Sequence, residues 1–285
     1  MAGSLVDAHV HVWDWQLDHY GWMTDDMAAI RRPFTTDDLR SELDRHQVSG
    51  AVLVQTLSSE AETRRYLELA AADPHLLGVV GWVDLTSPMA DELIAAHCEG
   101  RGGAALVGVR HQVHDETDPN WLDRADVRRG IAKVGRHGLV YELLVRPREL
   151  PAAIRLVEDH GDQDFVLDHI AKPPIASGRI EPWKSQMRRF AAQPHVACKL
   201  SGLVTEADRR RWTVNDLRPY ADVVLESFGP ERVLFGSDWP VCTLAATYTQ
   251  VIDAARALVA GLPEAERVQI FGGNAAAVYG LASSL

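Results

Sequence analysis

The sequence predicts an α/β fold, a single (β/α)8 TIM barrel with its functional site at the C-terminal strand ends, on three observations. Eight short runs of β-branched or apolar residues recur with room for a helix between neighbours, amphipathic segments fill those gaps, and no Pro/Gly/Ser-rich linker breaks the alternation. A doubly wound open sheet is the alternative. Against it, the first strand is not followed by a Gly-x-Gly-x-x-Gly turn; His9 and His11 stand there instead.

The expected strands are 5–12, 50–57, 76–85, 106–113, 139–145, 164–170, 195–202 and 232–239. Helical segments include 35–47, 60–72, 89–99 and 147–159. Thr36 with Asp37 and Asp38, and Ser58 with Ser59 and Glu60, are helix starts carrying caps and first-turn acids. The tail, 263–281, reads as closing helices, so one domain, 1–285, accounts for the chain.

With 285 residues and 46% hydrophobic content the chain can bury a large core. A net charge of −11 opposes binding to nucleic acid or anionic membrane surfaces, and the Arg209-Arg210-Arg211 cluster is short and flanked by acids. A small-molecule substrate is expected, with homo-oligomerisation left open. Cys98, Cys198 and Cys242 are odd in number and far apart, which argues against a disulfide framework or a thiolate zinc site. The start, Met1-Ala-Gly-Ser, lacks the features of a signal peptide, and no apolar run reaches membrane-spanning length, so a cytoplasmic protein is expected.

His9-Val10-His11 ends the first apolar run, and residues two apart on a strand share a face, so both imidazoles can converge on one ion or one oxygen. In the barrel, His169 after strand six and Asp238 after strand eight reach the same rim. Three imidazoles and a carboxylate can ligate a zinc-like ion, or the carboxylate, ionised at neutral pH, can serve as general base toward water.

The order His9-x-His11, then Leu167-Asp168-His169-Ile170-Ala171-Lys172-Pro173, then Gly236-Ser237-Asp238-Trp239-Pro240 resembles the amidohydrolase superfamily. The nearest branch is the amidohydrolase-2-like lactonases. Within it, 108–116 with Pro119, and Trp13-Asp14 followed by Tyr20-Gly21-Trp22-Met23, look most like the L-fucono- and L-rhamnono-lactonases. The resemblance implies hydrolysis of a sugar-acid lactone, with Asp238 and His169 catalytic and His9, His11, His169 and Asp238 as metal or carbonyl ligands. Binuclear members carry a bridging Lys or Glu and a further His on the middle strands. Here strand four offers Arg110 and His111 and strand five Glu142, so the expectation is one divalent ion at most, zinc by preference, or none.

Arg110, His111 and His114 are expected to meet the lactone, and Trp13, Trp22, Trp82 and Trp239 to offer apolar platforms for a sugar ring. Glu142 and Lys199, inside strands five and seven, read as a buried ion pair on the barrel floor. Three other readings stay open. One is a metal-dependent nonoxidative decarboxylase of aromatic acids, which usually carries an acid soon after the first His pair, a place Asp14 can fill. The others are a lactonase for a carboxylated or sulfonated aromatic-degradation lactone, and a ligand-binding barrel without catalysis.

Overall fold

The computed structural model describes residues 5–16 and 18–281. The reading of residues 1–4, and of the last four residues of the expected domain, lies outside the described residues. In chain order the elements are β1 (Leu5–Val10), α1 (Thr36–His46), β2 (Val48–Val54), α2 (Glu60–Ala72), β3 (Leu76–Gly81), α3 (Ala90–Glu99), β4 (Leu106–His111), α4 (Ala125–Arg136) and β5 (Val140–Leu143). There follow α5 (Leu150–Asp159), β6 (Phe165–Leu167), α6 (Trp183–Ala191), β7 (Val196–Leu200), α7 (Leu203–Glu206), α8 (Val214–Phe228), β8 (Val233–Phe235), α9 (Tyr248–Leu258), α10 (Glu264–Val268) and α11 (Asn274–Val278).

Local chemistry sets the helix ends. Thr35 and Asp38 form a reciprocal capping box at α1, which stops at Gln47 in the left-handed region (φ 56°). Thr213 and Asp216 repeat the box at α8. Among the described residues no helix is long and apolar enough to cross a membrane.

The eight strands pair in parallel in the order β1 to β8, the (β/α)8 barrel that the alternation of runs predicts. Val6, Ala8, Val52, Val54, Val80, Val140, Val166, Ala197 and Leu234 fill the interior, and a larger apolar layer lies between sheet and helices. Tyr279 and Leu281 join the interior cluster, so the C-terminal segment plugs the end of the barrel opposite the strand tips. The ring closes at its tips: His11 N–H donates to the Trp239 carbonyl (2.7 Å) and Asp238 N–H to the His9 carbonyl (2.9 Å). Asp7 reinforces this seam from full burial, accepting from Ser237 N–H (2.8 Å), His9 N–H (3.1 Å) and the Tyr248 hydroxyl (2.9 Å).

Several strands end earlier than their apolar runs suggest. Strand six stops at Leu167 and strand eight at Phe235, because the segments beyond them leave extended geometry to present side chains at the rim.

Candidate active site

His9 and His11 enter the barrel through a change of phase in β1. Val6 and Ala8 belong to the interior cluster but Val10 packs in the outer layer, and the ladder to β2 shifts register between Asp7 and Val10. His9 is fully buried beneath the rim. His169 arrives differently. His169, Ile170, Ala171 and Lys172 run consecutively at φ 51°, 49°, 59° and 47°, a left-handed turn without a glycine. Such geometry costs roughly 1–2 kcal/mol per L-residue, so surrounding contacts must over-determine it. Trp183 Nε1–H donates to the Ile170 carbonyl (2.7 Å), and Lys172 N–H to the His169 carbonyl (2.8 Å). Gly202, at φ 68°, lets the ring sit close; a Cβ there would lie 2.8 Å from His169 Cγ. Asp238 is also left-handed (φ 58°), and Gly236 beside it leaves no room for a Cβ, which would meet His9 Cβ at 2.8 Å.

These segments bring His9, His11, His169 and Asp238 together. Asp238 Oδ1 lies 3.3 Å from His11 Nε2, 3.9 Å from His9 Nε2 and 4.0 Å from His169 Nε2. His11 Nδ1 is 2.7 Å from the Val54 carbonyl oxygen, which can only accept, so Nδ1 carries the proton and Nε2 presents a lone pair to the carboxylate. Two acceptors at that distance repel unless a proton or a cation lies between them. Ligands about 2.0–2.1 Å from a single ion are separated by up to ~4 Å, so these spacings fit one divalent cation. The ligand atoms of His9, His11 and Asp238 lie within 4.8 Å of one another, and a second such trio is His9, Asp168 and His169.

Beneath this cluster is a buried tier of charge. Arg110 Nη1 donates to Asp168 Oδ2 (2.9 Å), and Lys199 Nζ to Glu142 Oε1 (2.7 Å), lying 3.1 Å from Asp168 Oδ1. The pairing of Glu142 with Lys199 is the one their places inside the strands predict. Arg110 pairs with Asp168 and not with the acids of its own loop, because its side chain turns into the barrel. The Tyr279 hydroxyl donates to Glu142 from below. Burial alone would raise the Asp168 carboxyl, but Lys199, His9 and Arg110 hold it well below the usual range. Burial and then Asp168 raise Glu142. Burial and then Lys199 hold His9 neutral, and burial does the same for His169.

His9 Nδ1 faces both a donor, Lys199 Nζ at 3.0 Å, and an acceptor, Asp168 Oδ1 at 3.4 Å, which makes no well-directed hydrogen bond elsewhere. A proton on Nδ1 shared with Asp168 leaves Nε2 with its lone pair, the state in which a carboxylate partner holds a metal-bound histidine. Arg110 Nη1, which can only donate, lies 3.2 Å from His9 Nε2, and this contact favours the proton on Nδ1 with Nε2 as acceptor.

An open cleft of about 640 Å³ lies above, with Arg110, His11, His169 and Asp238 in its wall. Trp22, Met27, Leu144 and Val241 give it an apolar side, and Thr56, Gln112 and His114 a polar one. Trp22 Nε1 and His114 Nδ1 are buried without hydrogen-bond partners. Arg146 and Lys172 complete the wall.

The remaining residues singled out from sequence stand behind that wall. Trp82 Nε1–H donates to His111 Nδ1 (3.0 Å), His111 Nε2–H to Glu116 (2.8 Å), and the His111 ring stacks on Trp121 at 4.3 Å. Trp13 Nε1–H donates to the Arg32 carbonyl (2.9 Å), and Trp239 packs edge-on to Phe34, so both hold the first loop. Asp14 accepts from Gln16 N–H (3.0 Å) in that loop. Asp7 and the cleft residues Thr56, Gln112, Met27 and Arg146 went unassigned in the sequence. An acid inside an apolar strand marks Asp7; the others carry no local signal.

Comparison with known proteins places these features. The family model described as Amidohydrolase matches residues 6–281. A curated L-fucono-1,5-lactonase of Burkholderia multivorans is 39% identical, covering 99% of this chain and 97% of the relative. One of Burkholderia ambifaria is 36% identical, over 96% and 94%. A crystal structure of an amidohydrolase from Burkholderia multivorans with bound zinc superposes with a TM-score of 0.93 at 37% identity, covering 98% of this chain and 99% of the other.

Proposed function

The chain belongs to the amidohydrolase family, and from that premise we propose that it hydrolyses a sugar-acid lactone, L-fucono-1,5-lactone or a close relative, with Asp238 as the base. The observation that carries this reading is the Asp238 carboxylate among three imidazole Nε2 atoms, with Asp238, His11 and His169 in the cleft wall and His9 beneath them, where a water and an ester carbonyl can meet. End-to-end similarity to two L-fucono-1,5-lactonases supports the substrate class.

Asp238 takes a proton from a water that attacks the lactone carbonyl carbon. Arg110, fixed by Asp168 and by Gln55 Oε1 (3.0 Å), directs positive charge at the forming oxyanion, and His169, beyond β6, lines the same cleft. The ring C–O bond then breaks, and Asp238 returns its proton to the leaving alkoxide, giving the open hydroxy acid. His9, His11 and Asp238 would hold a divalent ion, zinc by preference, which when bound supplies Lewis acidity to the carbonyl and acidifies the water. Trp22 Nε1 and His114 Nδ1 meet sugar hydroxyls, while Met27, Leu144 and Val241 cover the apolar side of the substrate.

The test is hydrolysis of L-fucono-1,5-lactone followed with a pH indicator, on the parent and on Asp238→Asn, before and after chelation. The variant is expected to lose about 10²- to 10⁴-fold in turnover with its melting temperature preserved. A near-parental rate sinks the assignment of Asp238. Loss on chelation that zinc restores supports the ion; full activity in the metal-free protein assigns the carbonyl to the side chains alone.

A further inference from the structure

In the buried tier, the Glu142 carboxylate is held by one oxygen. Oε1 accepts from both the Lys199 ammonium (2.7 Å) and the Tyr279 hydroxyl, while Oε2 is buried with no hydrogen-bond partner among the described residues. A carboxylate with an unspent oxygen can turn, so these two donors decide where it points. Tyr279 comes from the C-terminal segment, which is itself fixed. Asn274 Nδ2, at the start of α11, donates to the Pro230 and Val233 carbonyls beside β8 (both 2.7 Å), and Tyr279 N–H donates to the Ala275 carbonyl (3.0 Å). The Tyr279 ring also lies against Lys199, with Nζ 5.7 Å from its centroid.

Lys199 joins this contact to the reacting cluster. Its Nζ stands 3.1 Å from Asp168 Oδ1 and 3.0 Å from His9 Nδ1, so a donor and an acceptor compete for one ring nitrogen. Drawn onto Glu142, the ammonium leaves the Nδ1 proton to Asp168. Released from Glu142, it settles on Nδ1 as a donor and drives the ring proton to Nε2, where Arg110 Nη1 is a second donor at 3.2 Å.

We propose that Tyr279 is a positioning residue for the reaction: its hydroxyl holds the Glu142 carboxylate on Lys199, and through that ammonium it keeps the His9 Nε2 lone pair facing the Asp238 cluster. The C-terminal segment then supports the active site as well as plugging the barrel. Its effect on turnover rests on the lactonase reading; its effect on the His9 ring does not.

The experiment sets Tyr279→Phe, which keeps the ring and removes the hydroxyl, beside Glu142→Gln and the double variant. For each, kcat and KM are measured on L-fucono-1,5-lactone. The His9 ring nitrogens are followed at neutral pH by NMR of nitrogen-labelled histidine, after chelation so that no ion holds the ring, and assigned against His9→Asn. Tyr279→Phe is expected to lower kcat about tenfold with KM held within about twofold, and to move the His9 signals toward the Nε2-protonated form. In the Glu142→Gln background the same substitution should cost less than about twofold, because Tyr279 acts through that carboxylate. Unmoved His9 signals overturn the proposal, as does an equal cost in both backgrounds, or a fall in melting temperature with kcat kept. If the parent hydrolyses no lactone yet its His9 signals respond to Tyr279→Phe, the lactonase reading fails and the positioning role stands.

Discussion

The lower tier of the barrel and the cleft above it treat charge in opposite ways. In the tier, two cations, Arg110 and Lys199, face two carboxylates, Asp168 and Glu142, at 2.7–3.1 Å, and the Tyr279 hydroxyl closes the network from beneath. Buried charges persist only when matched, and these are matched in charge by the protein itself, with Arg110 Nε, Glu142 Oε2 and Asp168 Oδ1 left without a well-directed hydrogen bond. In the cleft, His11 points a lone pair at Asp238, and Trp22 and His114 carry buried atoms without partners. Groups that the fold leaves incomplete are those a ligand can complete.

The sharpest way to break this contrast is to unbalance the tier. Lys199→Met leaves Glu142 without its cation and Asp168 with Arg110 alone, and is expected to cost about 3–5 kcal/mol of unfolding free energy, read from the urea midpoint. Adding Glu142→Gln should restore more than half of the loss. A single variant as stable as the parent would mean that the tier is not the matched network described.

Acid should destabilise the fold through His114 before it does so through Asp168, because Glu142, raised to about 7, takes its proton in the folded chain and loses no stability by it. His114 is held down to about 2, first by burial and then by Lys172, Arg146 and Arg110. Its folded value lies below the unfolded one, so the unfolded chain takes up the proton first and stability falls as pH drops below about 6.5. Asp168, also depressed, weakens the tier only below about pH 4. His114→Asn should therefore remove one proton's worth of slope, ~1.4 kcal/mol per pH unit, from stability measured between pH 6 and 4. An unchanged slope would refute the buried neutral state of this ring.

The smallest effect belongs to Trp22→Phe, which deletes an N–H that nothing in the protein accepts. Stability should change by less than about 0.5 kcal/mol while KM for the lactone rises roughly 3- to 10-fold with kcat held. A stability loss without a KM change would place the indole N–H in packing.

The barrel was legible because its eight runs are apolar on both faces, as parallel strands covered by helices require. The cluster was legible because His9, His11, His169 and Asp238 all sit within a few residues of predicted strand ends, and barrel topology alone carries such positions to one rim. The left-handed turn at 169–172 was not, since none of its residues is a glycine and only the packing of Trp183 and Gly202 around it imposes that geometry. Nor could the tryptophans be sorted. Trp13, Trp22, Trp82 and Trp239 occupy equivalent sequence positions near strand ends or the first loop, and only the course of that loop decides that Trp22 faces the cleft.

The seam between β1 and β8 bears on how this protein acquires its chemistry over time. Its stitches are the backbone bonds of His9, His11, Asp238 and Trp239 together with the Asp7 carboxylate, and they join residues more than two hundred positions apart. Contacts of such high sequence separation carry the largest loop-closure cost, so they are late to form. The histidine pair is synthesised first and its aspartate nearly last. A nascent or partly opened chain can hold most of its sheet and still lack a working centre, and ring closure and catalytic competence arrive in the same step.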